Sequence, residues 1–243
     1  MNLEPVRRQN VSDGVFQQLL TNILEGETTT LPSERELAAT LSVNRHAVRE
    51  ALKRLEQIGL VRIVHGGATE VLDLRTHAGL DVLAYLAASP PRRYGPNLAR
   101  SVLEFRRSAG TDAARLAALR ATPETVADLE RAAARYHREA TRPEQLTVDR
   151  EFWSLIIDAS DNLAYRLAFN TLMNAFDHLP DMLALLLAPE LDDPASHDAL
   201  VRAIADGDAD GAAAHAHHLL SASSAVADQW LATLGGTGTD AQN

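Results

Sequence analysis

Two short amphipathic helices, separated by a break of only three residues, constrain the fold of this chain more than any other feature. The first begins after Pro32, with Ser33 as the predicted N-cap and Glu36 in capping-box register. Ser42-Val43-Asn44 ends it after about two turns. A second amphipathic helix is predicted from about Arg45 to Gln57. Two short helices joined by a tight turn predict a helix-turn-helix.

The residues on either side of this unit predict a further helix and a small sheet. Apolar residues at helical spacing predict a helix before it: Val15, Leu19, Leu20, Ile23 and Leu24. Gly59 suits a C-terminal cap, and two β-strands are predicted at Leu60–Val64 and Thr69–Leu72, around the glycine turn at His65-Gly66-Gly67. The order is helix, helix-turn-helix, β-wing.

A basic stripe lies on the solvent side of the second helix of this motif. Arg45, Arg49 and Lys53 follow at i, i+4 and i+8. Arginine pairs bidentately with the acceptor edge of guanine, so Arg45 and Arg49 are candidates for base readout. Lys53 and Arg54 are candidate phosphate contacts, and His65 at the wing tip is placed to enter a minor groove or meet phosphate. The alternative is a solvated helix face without a partner.

Charge and composition exclude several classes of protein. The formal charge is −10, and residues 76–243 carry most of it, so any contact with nucleic acid must be local. With no cysteine, the chain cannot carry a disulfide framework, a zinc ribbon or a catalytic thiol. No signal peptide or membrane span is evident, and we expect a cytoplasmic protein with no membrane partner.

Beyond the wing, only helical periodicity is evident. We predict a DNA-binding domain at 1–74, a linker helix and loop at 75–96, a helical domain at 97–234 and a disordered tail at 235–243. The predicted bundle helices are 98–120, 123–140, 148–160, 163–187, 194–205 and 209–234. The predicted fold class is mainly α: a winged helix-turn-helix followed by an all-α bundle of six or seven helices.

The segment LPSERELAATLSVNRHAVREALKRLEQIGLVRIVHGG resembles the winged helix-turn-helix of the GntR family of bacterial transcription regulators. The resemblance covers residues 10–72 and implies double-stranded operator DNA as a partner. The stretch from Gly26 to Leu31 is shorter than is typical of the family and lacks its Pro-Gly. By this resemblance, the positions that touch DNA are Ser33, Arg35, Arg45, His46, Arg49, His65 and Gly66.

The helical part is similar to the FadR subfamily of GntR regulators, through FRRSAGTDAARLAA, DREFWSLIIDASDNLAYRLAFN and HDALVRAIADGD. The resemblance implies a homodimer with an effector-binding bundle. In most of the subfamily, one Asp and three His hold a divalent metal. Asp149 matches the Asp, Trp153 stands where the first His is expected, and His197 and His218 are candidates for the other two. The possible metal set is therefore Asp149, His197 and His218 at most.

Trp153 points to a partly apolar effector, because an indole supplies an apolar wall instead of a metal ligand. Fatty-acyl-responsive members of the subfamily also lack the metal His, so we expect a fatty acid or acyl-CoA effector. A metal-dependent sensor of small carboxylates is the alternative. Arg106 on the first bundle helix either pairs with an acidic residue or awaits an anionic ligand, and the resemblance favours the ligand. The remaining candidate effector residues are Asn162, Tyr165 and Asn170.

Two functional classes follow. The first is a ligand-responsive transcription regulator, with repression of a bacterial metabolic operon as the expected mode and without enzyme activity. The second is a helical metal-dependent hydrolase. Against it, the sequence carries no HExxH motif, phosphate loop or Ser-His-Asp arrangement, and a winged helix would have no purpose in such an enzyme.

Overall fold

The computed structural model describes residues 11–26, 28–64, 68–88, 95–138 and 141–236. It divides into two compact units, Met1–Arg93 and Tyr94–Asn243. The described residues form thirteen helices and one three-stranded sheet, which confirms the predicted fold class. No helix among them combines the length and the apolar character needed to span a membrane.

The first unit is built on three helices: α1 (Val11–Glu25), α2 (Glu34–Thr40) and α3 (Arg45–Gln57). The predicted caps are confirmed for α2. Ser33 accepts a hydrogen bond from the Glu36 backbone N–H at 3.4 Å, and the Ser33 N–H donates to the Glu36 carboxylate at 2.9 Å. The core between α1 and α3 contains fully buried apolar side chains, among them Phe16, Leu20, Val48, Leu52 and Leu55.

The turn between α2 and α3 is set by two local features. Ser42 adopts a positive φ of 53°. The Asn44 side chain then caps α3 by accepting a hydrogen bond from the Ala47 N–H at 2.8 Å. α3 ends at Gln57. Gly59, which was predicted to cap this helix, has a φ of +73°, a value that residues with a Cβ rarely adopt.

The sheet has one more strand than predicted. Strands β1 (Thr30–Leu31), β2 (Val61–Arg62) and β3 (Thr69–Val71) are antiparallel in the order β1-β3-β2. β2 and β3 are the predicted wing strands, although both are shorter than predicted. β1 was missed because two residues are too few to show an alternating pattern, and its pairing with β3 is a long-range contact.

The predicted linker helix is two helices, α4 (Leu74–His77) and α5 (Val82–Ala88). Asp73 caps α4 by accepting a hydrogen bond from the Arg75 N–H at 2.7 Å. The break occurs because Ala78 is extended, with a ψ of 146°, and Gly79 follows it.

The second unit is entirely helical in its described residues. Its elements are α6 (Gly95–Arg120), α7 (Pro123–Tyr136), α8 (Arg142–Ala159), α9 (Leu163–Phe176), α10 (Pro180–Leu186), α11 (Ala188–Leu191), α12 (Pro194–Ala205) and α13 (Ala209–Gly236). α6 packs most extensively against α13, and α8 lies against α6 and α7. The core includes the fully buried Phe152, Ile156, Leu200 and Leu219.

Several helix bounds differ from the prediction: α6 begins at Gly95 rather than at residue 98, α7 ends at Tyr136 rather than at residue 140, and α11 was not predicted. The bounds of three other predicted helices also differ. The predicted helix 163–187 is interrupted before α10, because Pro180 lacks an N–H and clashes with the preceding turn. α8 begins six residues earlier than predicted: Thr141 and Glu144 form a capping box, and Pro143 suits the first turn. α13 continues to Gly236, two residues into the predicted tail, whose remaining residues, 237–243, lie outside the described part of the chain.

Candidate nucleic-acid interface and buried cavity

The exposed basic face of the helix-turn-helix carries five of the predicted DNA-binding side chains. These five side chains are exposed and lie on α2 and α3; they are Arg35, Arg45, His46, Arg49 and Lys53. The opposite side of α3 is buried through Val48, Leu52 and Leu55, so the basic side chains share the solvent face. Ser33 is half-buried beside them at the start of α2.

The basic side chains on this face differ in their acidic neighbours. The Arg49 guanidinium donates to Glu34, with Nη2 2.9 Å from Oε2 and Nε 3.2 Å from Oε1. These hydrogen bonds, together with the charge of Glu34, raise the pKa of Arg49. The Lys53 ammonium lies 3.2 Å from the Glu50 carboxylate. Arg45 makes no ion pair with any residue that the structure describes.

The Arg54 side chain on α3 contacts α1. Its Nη1 lies 2.5 Å from the Asp13 carboxylate, and its guanidinium carbon lies 4.1 Å from the centre of the Phe16 ring. These contacts engage Arg54 with α1, so they do not support the predicted phosphate contact.

The wing strands are joined by a side-chain pair. Arg62 on β2 donates to Glu70 on β3 at 2.9 Å, and these residues are register partners. The Glu56 carboxylate accepts from the Ile63 N–H at 2.8 Å and so links α3 to the wing. The predicted contacts His65 and Gly66 lie outside the described residues.

A cavity of about 430 Å³ opens inside the helical unit, between α8, α9 and α10. Most of its walls are apolar: Leu146, Phe169, Met173, Phe176, Leu183 and Leu187. A smaller apolar recess of about 30 Å³ shares four of the cavity's lining residues, Arg106, Trp153, Phe169 and Met173. The volume of the larger cavity falls within the range of about 300–1,000 Å³ typical of small-molecule sites.

Arg106 is buried at the inner wall of this cavity, where it pairs with two carboxylates. Its Nη1 donates to Glu190 at 2.8 Å to Oε1 and 2.7 Å to Oε2, and its Nη2 lies 3.5 Å from Asp149 Oδ2. Burial alone lowers the pKa of Arg106, but the charges of Glu190 and Asp149 outweigh it and the pKa is raised. Burial raises the pKa of Glu190, and the opposing effect of the Arg106 charge does not outweigh it. The Ser223 hydroxyl also donates a hydrogen bond to Glu190.

Behind Asp149 lies a buried aromatic group. The Tyr136 hydroxyl donates to Asp149 Oδ1 at 3.0 Å, and the Tyr136 ring stacks on His197 at 3.8 Å between centroids. His197 Nδ1 lies 2.8 Å from the Asp193 carbonyl oxygen, which only accepts, so Nδ1 carries the proton. Burial lowers the pKa of His197, which is therefore neutral at pH 7. Burial also raises the pKa of Tyr136.

Trp153 lines both the cavity and the recess. Its indole packs edge-on against Phe152, with centroids 5.9 Å apart, and the Arg106 guanidinium lies 5.5 Å from its ring centre. Gly110 on α6 lies near this indole and against Leu220: a Cβ there would lie 2.6 Å from Leu220 Cδ1, which is too close, and 3.4 Å from Trp153 Cζ3, which is an ordinary contact. The steric constraint on Gly110 therefore comes from Leu220.

Comparison with known proteins places these two units in one family. Residues 11–71 match the model described as bacterial regulatory proteins, gntR family, and residues 101–222 match the FCD domain. The chain belongs to the GntR family. It is 38% identical over 229 residues to the HTH-type transcriptional regulator Mce2R of Mycobacterium tuberculosis, covering 90% of this chain and 92% of the relative. It is therefore a helix-turn-helix transcriptional regulator with an FCD domain.

Two further similarities cover a shorter segment or have a lower sequence identity. A fatty acid metabolism regulator protein of Shewanella putrefaciens is 36% identical over 99 residues, which is 41% of each chain. The solved GntR structure from Streptococcus agalactiae is 24% identical, with a TM-score of 0.48 over 88% of this chain and 99% of its own.

The side chains in this GntR protein do not fit the metal site that the subfamily resemblance implies. Asp149 accepts from Tyr136 and faces the Arg106 cation, while Trp153 replaces one expected ligand. His197 is buried, but His218 is exposed on α13. Among the described residues, no group of three or more His, Cys, Asp or Glu side chains is arranged to hold a metal ion. The Arg106 guanidinium supplies a buried positive charge beside Asp149.

The other predicted effector residues divide between the recess and structural positions. Tyr165 lines the recess and donates to Asp112 at 2.8 Å. Asn162 caps α9 by accepting from the Ala164 N–H at 3.0 Å, which accounts for its side chain. Asn170 is exposed and lines neither cavity. We therefore leave Asn162, Asn170 and His218 out of the candidate site.

Two residues at the site were missed from the sequence. Glu190 follows the apolar run LALLLAP, and an isolated carboxylate in such a run is a signal of a buried pair. Gly110 has no side chain that could signal a role, and its steric role depends on Leu220, 110 residues further along the chain.

Proposed function

We propose that this chain is a homodimeric, effector-responsive repressor whose helix-turn-helix reads operator DNA. The observation that carries the DNA-binding part is the exposed basic face of α3, with Arg45 near its N-terminus and Arg49 one turn later. Residues in this position of a recognition helix lie closest to base edges. Lys53, further along the same face, is placed for phosphate contact, and His65 and Gly66 stay predicted wing contacts.

The effector part of the proposal rests on the cavity beside Arg106. Its apolar walls and the Trp153 indole suit an acyl chain, and the pairing of Arg106 with Glu190 and Asp149 leaves no donor set for a metal-held carboxylate. The name of the Shewanella relative, a fatty acid metabolism regulator, supports the same class. We infer a fatty-acyl effector, taken up as a fatty acid or as an acyl-CoA.

The regulatory step is a shift between two states of the dimer. An effector that binds one state more tightly lowers or raises operator affinity by its differential affinity for the two states, and operator DNA changes effector affinity by the same factor. No catalytic step is part of this proposal. The protein would act in the cytoplasm, where operator DNA is accessible.

The test measures binding of the purified chain to its own promoter fragment over a range of salt concentrations, with and without acyl compounds. We expect the affinity to fall steeply with salt, because cations released from DNA contribute to binding. We also expect an acyl compound to change the affinity. Weak binding that does not distinguish the promoter from random duplex would contradict the proposal.

A further inference from the structure

An acidic residue at the start of α2, Glu34, lies against the basic face of α3. Its carboxylate accepts from Arg49 Nε at 3.2 Å and 3.3 Å and from Arg49 Nη2 at 2.9 Å. The two residues are 15 positions apart in the sequence, so the helix-turn-helix brings them together. The Arg49 side chain is 54% exposed and that of Glu34 30%, so a duplex can reach the pair.

This contact uses one edge of the Arg49 guanidinium and leaves another. A guanidinium has two edges that can each donate a pair of parallel hydrogen bonds. Glu34 occupies the edge formed by Nε and Nη2. The edge formed by Nη1 and Nη2 keeps one N–H on each nitrogen, and no residue that the structure describes accepts from Nη1. That remaining edge matches the O6 and N7 acceptors that guanine presents in the major groove.

The other cations of this face have no comparable constraint. The Lys53 ammonium lies 3.2 Å from Glu50, three residues earlier on the same helix. An ammonium is a point charge without a fixed edge, so this pair sets no direction toward a base. Arg45 makes no ion pair within the described part of the chain. Among these three cations, the pair with Glu34 therefore gives direction to Arg49.

The charge of Glu34 has a second effect on binding. A carboxylate beside the basic face repels phosphate groups, and this repulsion acts on a duplex of any sequence. A contact between the oriented Arg49 and a guanine forms only where the sequence supplies that guanine. Glu34 therefore weakens binding to every duplex and strengthens it on one sequence, which is how repulsive elements produce specificity.

We propose that Glu34 is a positioning residue for base reading: it directs the Nη1 and Nη2 edge of Arg49 toward a guanine in each half-site, and its charge weakens binding to duplex without that guanine. This inference rests on the proposed function, because it assigns a specificity determinant to the proposed DNA-reading face.

The experiment measures the affinity of the full-length Glu34→Gln variant for the promoter fragment and for a random duplex of equal length and base composition. Glutamine keeps the shape of the side chain but removes the charge. We expect tighter binding of the random duplex. The ratio of promoter affinity to random affinity should fall at least about fivefold, the lower end of what one bidentate base contact contributes. An unchanged ratio would overturn the proposal.

Two further variants separate charge from orientation. Glu50→Gln is the matched control, because it removes the same charge from the same face beside Lys53. It should tighten binding of both duplexes by one factor and keep the ratio. Glu34→Asp keeps the charge but shortens the side chain by one methylene, so the ratio should fall while random affinity stays unchanged. An equal fall of the ratio in Glu50→Gln and Glu34→Gln would assign the effect to charge alone and overturn the positioning role.

An Arg49→Ala background tests whether Glu34 acts through Arg49. Glu34→Gln should leave the ratio unchanged there, because no guanidinium remains to be oriented. A fall as large as in the parent would overturn the proposal. Melting curves check that each variant folds, and Glu34→Asp carries the test if Glu34→Gln does not fold.

The parent protein separates this inference from the proposed function. A parent that does not distinguish promoter from random duplex would remove both base reading and the role of Glu34. A parent that distinguishes them, with the same ratio in Glu34→Gln, would remove the role of Glu34 and leave the proposed function standing.

Discussion

Arg45 and Arg49 lie one turn apart on α3, but their surroundings differ. Arg49 is held by Glu34, whereas Arg45 has no ion-pair partner among the described residues. A guanidinium oriented by a carboxylate loses less conformational entropy when it meets a base, but it must share its donors. We therefore expect the two arginines to contribute to DNA binding in different ways.

We predict that Arg45→Ala weakens operator binding by about 1–3 kcal/mol and relaxes sequence preference, because a base contact is lost. Lys53→Ala should weaken operator and random duplex alike and reduce the salt slope by about one, because a phosphate contact is lost. Fluorescence anisotropy with both duplexes at several salt concentrations measures these effects. If Arg45→Ala loses the same free energy on both duplexes, Arg45 does not read bases.

Gly110 gives a second prediction at the scale of the residue. A Cβ at this position would lie 2.6 Å from Leu220 Cδ1, and Leu220 is buried, so it has little room to move aside. Overpacking of about 1–3 kcal/mol should exceed the gain of about 0.5–1 kcal/mol that alanine gives in a helix, so Gly110→Ala should lower the free energy of unfolding. Gly14→Ala is the matched control, because that helical glycine has nothing within 4 Å of the added Cβ and should gain about 0.5–1 kcal/mol. Denaturant titration followed by circular dichroism compares them, and equal effects would refute the steric account.

Among the elements, α2 depends most visibly on its cap. It is only seven residues long, and Ser33 and Glu36 satisfy the N–H groups at its start. Ser33→Ala should therefore cost about 0.5–2 kcal/mol of stability, and Ser33→Asn should restore most of it, because Asn caps equally well.

Thermal unfolding of the Ser33 variants tests the cap, and operator binding tests the hydroxyl. An alanine variant as stable as the parent would contradict the capping role. If Ser33→Asn keeps the stability but loses operator affinity, the hydroxyl itself contacts DNA, as the family resemblance implies.

At the scale of the whole molecule, the buried His197 makes stability depend on pH. Its pKa is lowered in the folded state from 6.5, so the unfolded chain takes up the proton first as the pH falls. Its contribution to stability is present above pH 6.5 and is lost below that value, with a slope of up to about 1.4 kcal/mol per pH unit. Glu190, whose pKa is raised, acts in the opposite direction.

His197→Phe isolates this contribution, because it keeps an aromatic ring against Tyr136 but cannot titrate. Between about pH 6.5 and 5, where ordinary carboxylates stay ionised, the variant should lose less stability than the parent. Urea unfolding at several pH values gives the two slopes. Identical slopes would show that His197 takes up its proton in the folded state as readily as in the unfolded chain.

Assembly gives the last prediction. A twofold dimer presents two recognition helices, so it should protect a pseudo-palindromic operator with half-sites about 34–36 Å apart or a multiple of this spacing. Mass photometry on a single operator should show two chains per duplex. One chain bound to an asymmetric site would contradict the dimer.

Much of the first unit follows from local sequence alone. The Ser33 and Glu36 box, the Asn44 cap and the positive φ at Gly59 all depend on residues within a few positions of each other, so their patterns can be read directly. The helix bounds of the bundle were harder to predict from the sequence. Apolar periodicity continues through Leu163–Leu187, so one helix was predicted where Pro180 separates two.

The site in the bundle was decided by tertiary structure. From the sequence, Arg106 allowed two interpretations, a pair with an acidic residue or an open anion site. Glu190, 84 residues away, settles the pairing, because α6 and α11 both pack against α13 and bring the two side chains into one buried interior. Caps and turns arise from hydrogen bonds between near neighbours along the chain, which short patterns encode. A buried ion pair arises only when folding removes water from distant residues together, and no short pattern records that distance.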